Sequence, residues 1–352
     1  MRILWIGYGQ AGGKTVNALM EEDRIAYRAL AVNTEKADLA GLNRVTAQLV
    51  IGKYKLKGRG VGGDLALGAE IAYKSLSQMM DQINQLRKGL DPEALWIVSG
   101  LAGGTGAGGA PILAAEIKST WDLPVYGLGI LPATFGMPPE KEIMHLTNAL
   151  KSIEAWQQVF DNILLMDNEQ YISRDETRES IEDMYDRLNT EIAKRLTILL
   201  TAGEAKHAPQ EVLAAPEIKA TMGNHGGFSA IGYRGEDISL KSRFWHKGID
   251  PDDRRLEEII KESIATASLT FPCDISGSTA AALVVHGRPQ HLFTQAIQAG
   301  KAYIEKAMGV AAIRYGDYPD AGCQEISAIT LISGISDLSR LNEMRKRVEE
   351  FG

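Results

Sequence analysis

The sequence predicts an α/β protein: an N-terminal Rossmann-like domain with a parallel sheet, a long central helix, and a C-terminal α+β domain. Three observations lead there. Short apolar runs end in glycine-dense loops that open helical segments, and this happens three times in the first 110 residues. One amphipathic pattern of helical period then runs from about Glu176 to Leu200. Beyond it, strands and helices follow one another without glycine-rich loops, the pattern of an α+β unit.

The first run, Arg2 to Ile6, leads into Gly7-Tyr8-Gly9-Gln10-Ala11-Gly12-Gly13 and a helical stretch from Lys14 to Glu22. Taken alone, Gly7, Gly9 and Gly12 match the dinucleotide fingerprint. That fingerprint wants an acidic residue at the end of the second strand, whereas Ala29 to Val32 ends in Asn33-Thr34. Gly13-Lys14-Thr15 resembles the end of a P-loop, but the glycine needed at position 8 is Tyr8. A third strand, Val45 to Ile51, precedes Lys53, Lys55, Lys57 and Arg59, read as a solvated face. Gly58, Gly60, Gly62, Gly63 and Asp64 then form a second loop ahead of a helix from Leu65 to about Leu86.

The organising stretch follows. Ala94 to Ser99 reads as a buried strand, and Gly100-Leu101-Ala102-Gly103-Gly104-Thr105-Gly106-Ala107-Gly108-Gly109 as a phosphate loop. Its glycines remove the Cβ atoms that would hold an anion off the backbone, and they permit positive φ so that successive amides can point inward. Thr105 adds a hydroxyl, and Pro111 suits the first turn of a helix from Ile112 to Thr120. In an open parallel sheet all three glycine loops gather at the carboxyl edge, where they can face one ligand.

Leu123 to Leu131 is the next strand, and in the loop after it Glu140 or Glu142 is a candidate acceptor for ribose hydroxyls. Asp161 to Met166 ends in Asp167-Asn168-Glu169-Gln170-Tyr171, and the long helix follows. Gly203 ends that helix and is followed by Glu204. The remainder reads as strands at 228–234, 280–287, 310–315 and 325–335, with helices at 252–267, 290–308 and 338–351. The domain boundaries expected are 1–175, 176–202 and 203–352.

The chain has 352 residues, enough for substantial cores, and is 45% hydrophobic and 24% charged. A net charge of −7 argues against nucleic acid as the main partner. No apolar run is long enough to span a bilayer and residues 1–20 show no signal-peptide pattern, so the expectation is a cytoplasmic protein without a direct membrane anchor. The two cysteines, Cys273 and Cys323, are too few for a disulfide framework or a zinc site and are expected to be small core residues. No metal-ligand set is expected from side chains.

Ordered together, these segments resemble the tubulin/FtsZ superfamily over nearly the whole chain. The signal is Ala102-Gly103-Gly104-Thr105-Gly106-Ala107-Gly108, similar to the family's glycines around one threonine, with Gly9-Gln10-Ala11-Gly12 similar to the first phosphate loop in its tubulin form. Ala102 stands where the family commonly has a further glycine. The mixture of a tubulin-like base site, a short chain and no acidic tail looks most like the archaeal CetZ group. The resemblance implies GTP or GDP with Mg²⁺ as cofactors, bound through Gly9, Gln10, Ala11, Gly12, Gly13, Lys14, Gly63, Asp64, Gly103, Gly104, Thr105 and Gly106. It implies that Glu140 serves the ribose, Asn168 and Asn189 read guanine, and Tyr185 stacks on it.

It further implies a GTPase domain and a cytoskeletal homopolymer in which each subunit completes its neighbour's site, with other accessory proteins as partners. Glu204 is then the catalytic residue, with Glu211 nearby, in the loop where FtsZ carries an Asn-x-Asp pattern. About 19 helical positions separate Glu204 from Tyr185, roughly 28 Å at ~1.5 Å per residue, too far to serve the same nucleotide. Two other functions compete: an NAD-dependent oxidoreductase built on the first glycine loop, and a guanine-nucleotide-binding protein that never assembles.

Overall fold

The computed structural model describes residues 1–23, 27–171, 180–204, 213–223, 227–238, 254–310 and 312–351. The chain divides into two compact units, Arg2–Lys194 with Leu338–Gly352, and Arg195–Asn224 with Phe228–Asp337.

The first unit alternates strand and helix. It contains β1 (Ile3–Tyr8), α1 (Gly9–Glu22), β2 (Tyr27–Asn33), α2 (Lys36–Ala40), β3 (Ala47–Val50), α3 (Lys53–Leu56), α4 (Leu65–Lys74) and α5 (Leu76–Arg87). Then come β4 (Ala94–Gly100), α6 (Thr105–Thr120), β5 (Val125–Leu131), α7 (Pro139–Gln157), β6 (Asn162–Asp167) and a 3₁₀ turn, Asn168–Tyr171. Its strands lie in the order β3-β2-β1-β4-β5-β6 and every pair is parallel. A parallel sheet covered by helices on both faces buries its strands completely, which is why β1 and β5 are apolar runs rather than alternating ones. Trp5 packs on Tyr27 and Trp96, and Trp96 on Tyr126, so a row of aromatic rings crosses β2, β1, β4 and β5.

Parallel pairing puts the carboxyl ends of β1, β2, β4, β5 and β6 on one edge, so Tyr8, Asn33, Gly100, Leu131 and Asp167 all terminate there. The helix from 65 to 86 expected from the sequence is two helices, α4 and α5, meeting at Ser75. The lysine-rich stretch is a solvated face, with Lys53, Lys55, Lys57 and Arg59 all exposed; within it Lys53–Leu56 forms α3, and Lys55 and Lys74 both bond Glu70, holding its carboxyl down to about 2.

The chain passes into the second unit within α8 (Ile181–Thr201), at Lys194 and Arg195. The second unit contains α9 (Ala215–Thr221), β7 (Gly227–Asp237), α10 (Arg254–Ser263), β8 (Ala280–Gly287), α11 (Thr294–Met308), β9 (Arg314–Pro319) and β10 (Glu325–Ser333). Its strand order is β7-β10-β8-β9, with β10 antiparallel to both neighbours and β8 parallel to β9. The strand expected at 310–315 instead runs from Arg314 to Pro319, because Gly309, at φ 75°, caps α11 and a connection through Ile313 must follow before pairing begins. The last helix, α12 (Ser339–Phe351), belongs to the first unit and packs on α7, where Arg347 bonds Glu142. No described helix is long and apolar enough to cross a membrane.

Candidate functional site

Two helix N-termini meet at the carboxyl edge of the parallel sheet. Helix α1 starts directly after β1, with the extended Tyr8 as its N-cap, and α6 starts after Gly104; neither has a side-chain cap nor an acidic residue in its first turn. Gly9 has φ 76°, and a Cβ there would lie 3.2 Å from the Gly106 amide nitrogen, so the two first turns are in contact. Their first-turn amides, which have no partner within their own helix and no side-chain cap, and the aligned dipoles form a seat for an anion. The neighbouring α4 differs, because Asp64 accepts from the Leu67 amide at 2.9 Å and closes that terminus.

The glycines of the organising stretch do not use the positive φ that they permit. None between Gly100 and Gly109 has positive φ, and α6 begins at Thr105, which leaves Pro111 inside the helix rather than in its first turn. What these glycines permit is close approach. A Cβ on Gly106 would collide with Ser99 and the Tyr8 carbonyl, one on Gly108 with the Leu65 carbonyl, and one on Gly104 with Val61 and the Asp64 backbone. Gly103 is the exception: it is exposed, and a Cβ there would meet nothing within 4 Å. In the other two glycine loops positive φ occurs at Gly9, Gly58, Gly62 and Gly63.

Three polar residues that the sequence analysis missed fasten these loops. Thr34 and Thr105 share a hydrogen bond of 2.7 Å between hydroxyls, joining the end of β2 to the start of α6. Asn148, on α7, donates to the carbonyls of Gly63 at 2.8 Å and Ala102 at 3.0 Å, so one amide clamps two glycine loops. Ser152, one turn later, donates to the Leu101 carbonyl at 3.1 Å. The available signal was a pair of polar side chains four apart on an otherwise apolar helix face.

Asn168 opens the 3₁₀ turn after β6 and is nearly buried, while Tyr185 and Asn189, one turn apart on α8, are half-buried. Burial first, and then the charge of Glu169, pushes the Tyr185 phenol upward. Glu169 itself accepts from the amides of Thr134 and Phe135. Thr15, on α1, lies 2.7 Å from the Asn189 side-chain oxygen and 3.0 Å from the Ala11 carbonyl, tying α8 to α1. Beneath the turn, buried Asp167 accepts from Arg340 at 2.6 Å; burial pushes this carboxyl up and the guanidinium partly offsets it.

The structure thus brings Gly9, Gln10, Ala11, Gly12, Gly13, Thr105 and Gly106 to one edge, with Gly103, Gly104, Gly63 and Asp64 beside them. Gly12 and Gly13 sit one turn into α1, and a Cβ on Gly12 would collide with the Val98 carbonyl, so that glycine serves helix-on-strand packing. Lys14 turns to α8, where it lies 3.7 Å from both Glu182 and Asp186. Glu140 is exposed in the first turn of α7, whereas Glu142 is engaged by Arg347. Glu204 closes the 3₁₀ turn Ala202–Glu204, and Glu211 lies outside the described residues. Asn33 presents no carboxylate to a ribose: its amide accepts from Thr34 and Glu35 and donates to Asp38.

Residues 2–174 match the family described as Tubulin/FtsZ family, GTPase domain, and residues 178–350 match Tubulin-like CetZ, C-terminal domain. The chain is 36% identical to Tubulin-like protein CetZ1 of Haloferax volcanii, over 98% of this chain and 91% of that protein. It is 29% identical to Tubulin-like protein CetZ of Pyrococcus furiosus, over 100% and 91%. Among solved structures it resembles a GDP-bound CetZ1 monomer from Haloferax volcanii at 34% identity and a GTPγS-bound CetZ2 protofilament from the same organism at 29%. Both superpose with a TM-score of 0.84 over 99% of each chain.

Proposed function

The chain belongs to the tubulin/FtsZ family, and from that membership we propose that it is a guanine-nucleotide-binding GTPase that assembles head to tail with copies of itself into filaments. The observation that carries this reading is the meeting of two uncapped helix N-termini with Asn168, Tyr185 and Asn189 in one unit. The first-turn amides of α1 and α6 hold the phosphates, and the exposed Gly103 admits them to the backbone. The two asparagine amides read the base edge and Tyr185 stacks on its face, while Glu140 serves the ribose. Lys14 contributes positive charge near this end of α1 while paired to α8.

A Mg²⁺ ion fits beside this seat through Asp64. One of its carboxylate oxygens caps α4, the other accepts no hydrogen bond among the described residues, and Mg²⁺ takes one or two carboxylates and completes its shell with phosphates and water. When bound, the ion neutralises charge on the terminal phosphates. Phosphoryl transfer asks the protein mainly for positioning, and here backbone amides supply it in place of a P-loop lysine. Glu204 of a neighbouring subunit orients the attacking water, so that hydrolysis depends on assembly. The protofilament form of the CetZ2 relative supports the assembly part of this reading.

Calorimetry with GTP, GDP, ATP and NAD tests the base site. GTP and GDP are expected to compete while NAD does not, and Asn168→Ala to lose about 1–3 kcal/mol of GTP binding, the cost of leaving guanine donors unpaired. Equal affinity of the unaltered protein for ATP and GTP overturns the assignment. Right-angle light scattering on adding GTP separates a filament protein from a binding protein that never assembles.

A further inference from the structure

We propose that the second unit carries a divalent transition-metal site formed by His286, Asp320 and Cys323, with Zn²⁺ as the ion its donors suit. His286 is the penultimate residue of β8 and is buried; Asp320 and Cys323 lie in the turn between β9 and β10. One donor atom from each, an imidazole nitrogen, a carboxylate oxygen and a sulfur, lies within 4.8 Å of the other two. Among the described residues no other three such side chains come so close together. The His286 Nε2 to Asp320 Oδ2 separation is 3.8 Å. Zinc bonds of about 2.0–2.3 Å in a tetrahedral shell set neighbouring donors about 3.3–3.8 Å apart, so the cluster closes on an ion through movements of about 1 Å.

The backbone already holds these donors in place. The Asp320 amide donates to the Gly287 carbonyl at 2.8 Å, and Arg288 Nε donates to the Cys323 carbonyl at 2.7 Å, which fastens the turn to the end of β8. Within the turn, Asp320 Oδ1 accepts from the Gly322 amide at 2.8 Å, so Oδ2 is the oxygen turned to His286. The ring of Tyr318 lies against the imidazole, centroids 5.3 Å apart. The Cys323 thiol donates to the Glu325 carbonyl at 3.1 Å; coordination releases that proton to solvent and gives the sulfur to the ion.

The donor set chooses the metal. One nitrogen, one sulfur and one oxygen match Zn²⁺ or Co²⁺, whereas Mg²⁺ and Ca²⁺ take oxygen ligands, and three protein donors leave a fourth position for water. The sequence expectation of no zinc site counted cysteines alone, whereas a mixed site needs one. Cys323 is also only partly buried, unlike Cys273, and so does not fit the expectation that both are core residues.

The test uses the full chain, stripped with chelator and titrated with Co²⁺ and then Zn²⁺. One equivalent of Co²⁺ is expected to give tetrahedral visible bands and a sulfur-to-cobalt charge-transfer band in the near ultraviolet, both removed by Zn²⁺ and not by Mg²⁺. Cys323→Ser is expected to abolish the charge-transfer band, and His286→Gln to weaken Zn²⁺ binding about tenfold or more. Cys273→Ser leaves the spectrum unchanged. If buried His286→Gln does not fold, exposed Asp320→Asn takes its place, with the same loss expected. Absence of the charge-transfer band from the unaltered protein, or a band that survives Cys323→Ser, overturns the site.

Discussion

Arg340 Nε donates to Asp167 Oδ2 at 2.6 Å, and through this contact the last helix supports the residue immediately before Asn168. Asp167 is 1% exposed, and its other side-chain oxygen accepts from the Glu169 amide, so its carboxylate shapes the turn that presents Asn168.

Arg340→Ala strands a buried carboxylate and is expected to destabilise the protein by about 3–5 kcal/mol, the typical cost of removing one partner of a buried pair. GTP affinity falls with it, because the turn loses its support. Pairing Arg340→Ala with Asp167→Asn restores much of the stability, read as a partial recovery of the urea midpoint. A double variant no more stable than Arg340→Ala removes the pair as the cause.

Thr15 is expected to act as a positioning residue for Asn189, with its hydroxyl holding the amide at 2.7 Å. Thr15→Val keeps the shape and removes the bond, so GTP binding should weaken by about 0.5–1.5 kcal/mol while thermal stability changes little. Thr15→Ser should recover it. A loss of the same size in Asn189→Ala and in the double variant, seen by calorimetry, identifies one shared interaction.

Two glycines separate binding from folding. Gly103→Val adds a side chain in open space on the exposed side of the loop, so phosphate binding should fall while the unfolding midpoint holds. Gly106→Val drives its side chain into Ser99 and the Tyr8 carbonyl and should lower stability by several kcal/mol or prevent folding. Denaturation curves and nucleotide titrations on both variants check the contrast; a stable Gly106→Val protein contradicts the packing argument.

Glu204→Ala is expected to bind GTP normally, hydrolyse it slowly and leave persistent filaments, with specific activity in the unaltered protein rising with concentration. Mixing Glu204→Ala with Gly103→Val should restore part of the turnover, since one supplies the nucleotide and the other the carboxylate. Hydrolysis per molecule that is independent of concentration and unaffected by Glu204→Ala ends the shared-site mechanism. If only the mutant result fails, Glu211 is the next carboxylate to test.

The sequence by itself determined the alternation of apolar strand, glycine loop and helix, because each is a local pattern of side-chain size and polarity. Parallel pairing follows from it, and with that the gathering of Gly9, Thr105 and Asn168 on one edge. Helical period likewise set Tyr185 and Asn189 on one face of α8. Tertiary structure alone decided why the glycines are there: the close approach of Gly106 to Tyr8 and of Gly104 to Asp64 depends on segments far apart in the chain, and local sequence carries only the absence of a Cβ. The same holds for Asn148 clamping Gly63 and Ala102, for Arg340 returning to Asp167, and for His286 meeting Cys323. Each joins residues whose separation along the chain leaves no periodic trace, so packing of the folded chain, rather than propensity, brings them together.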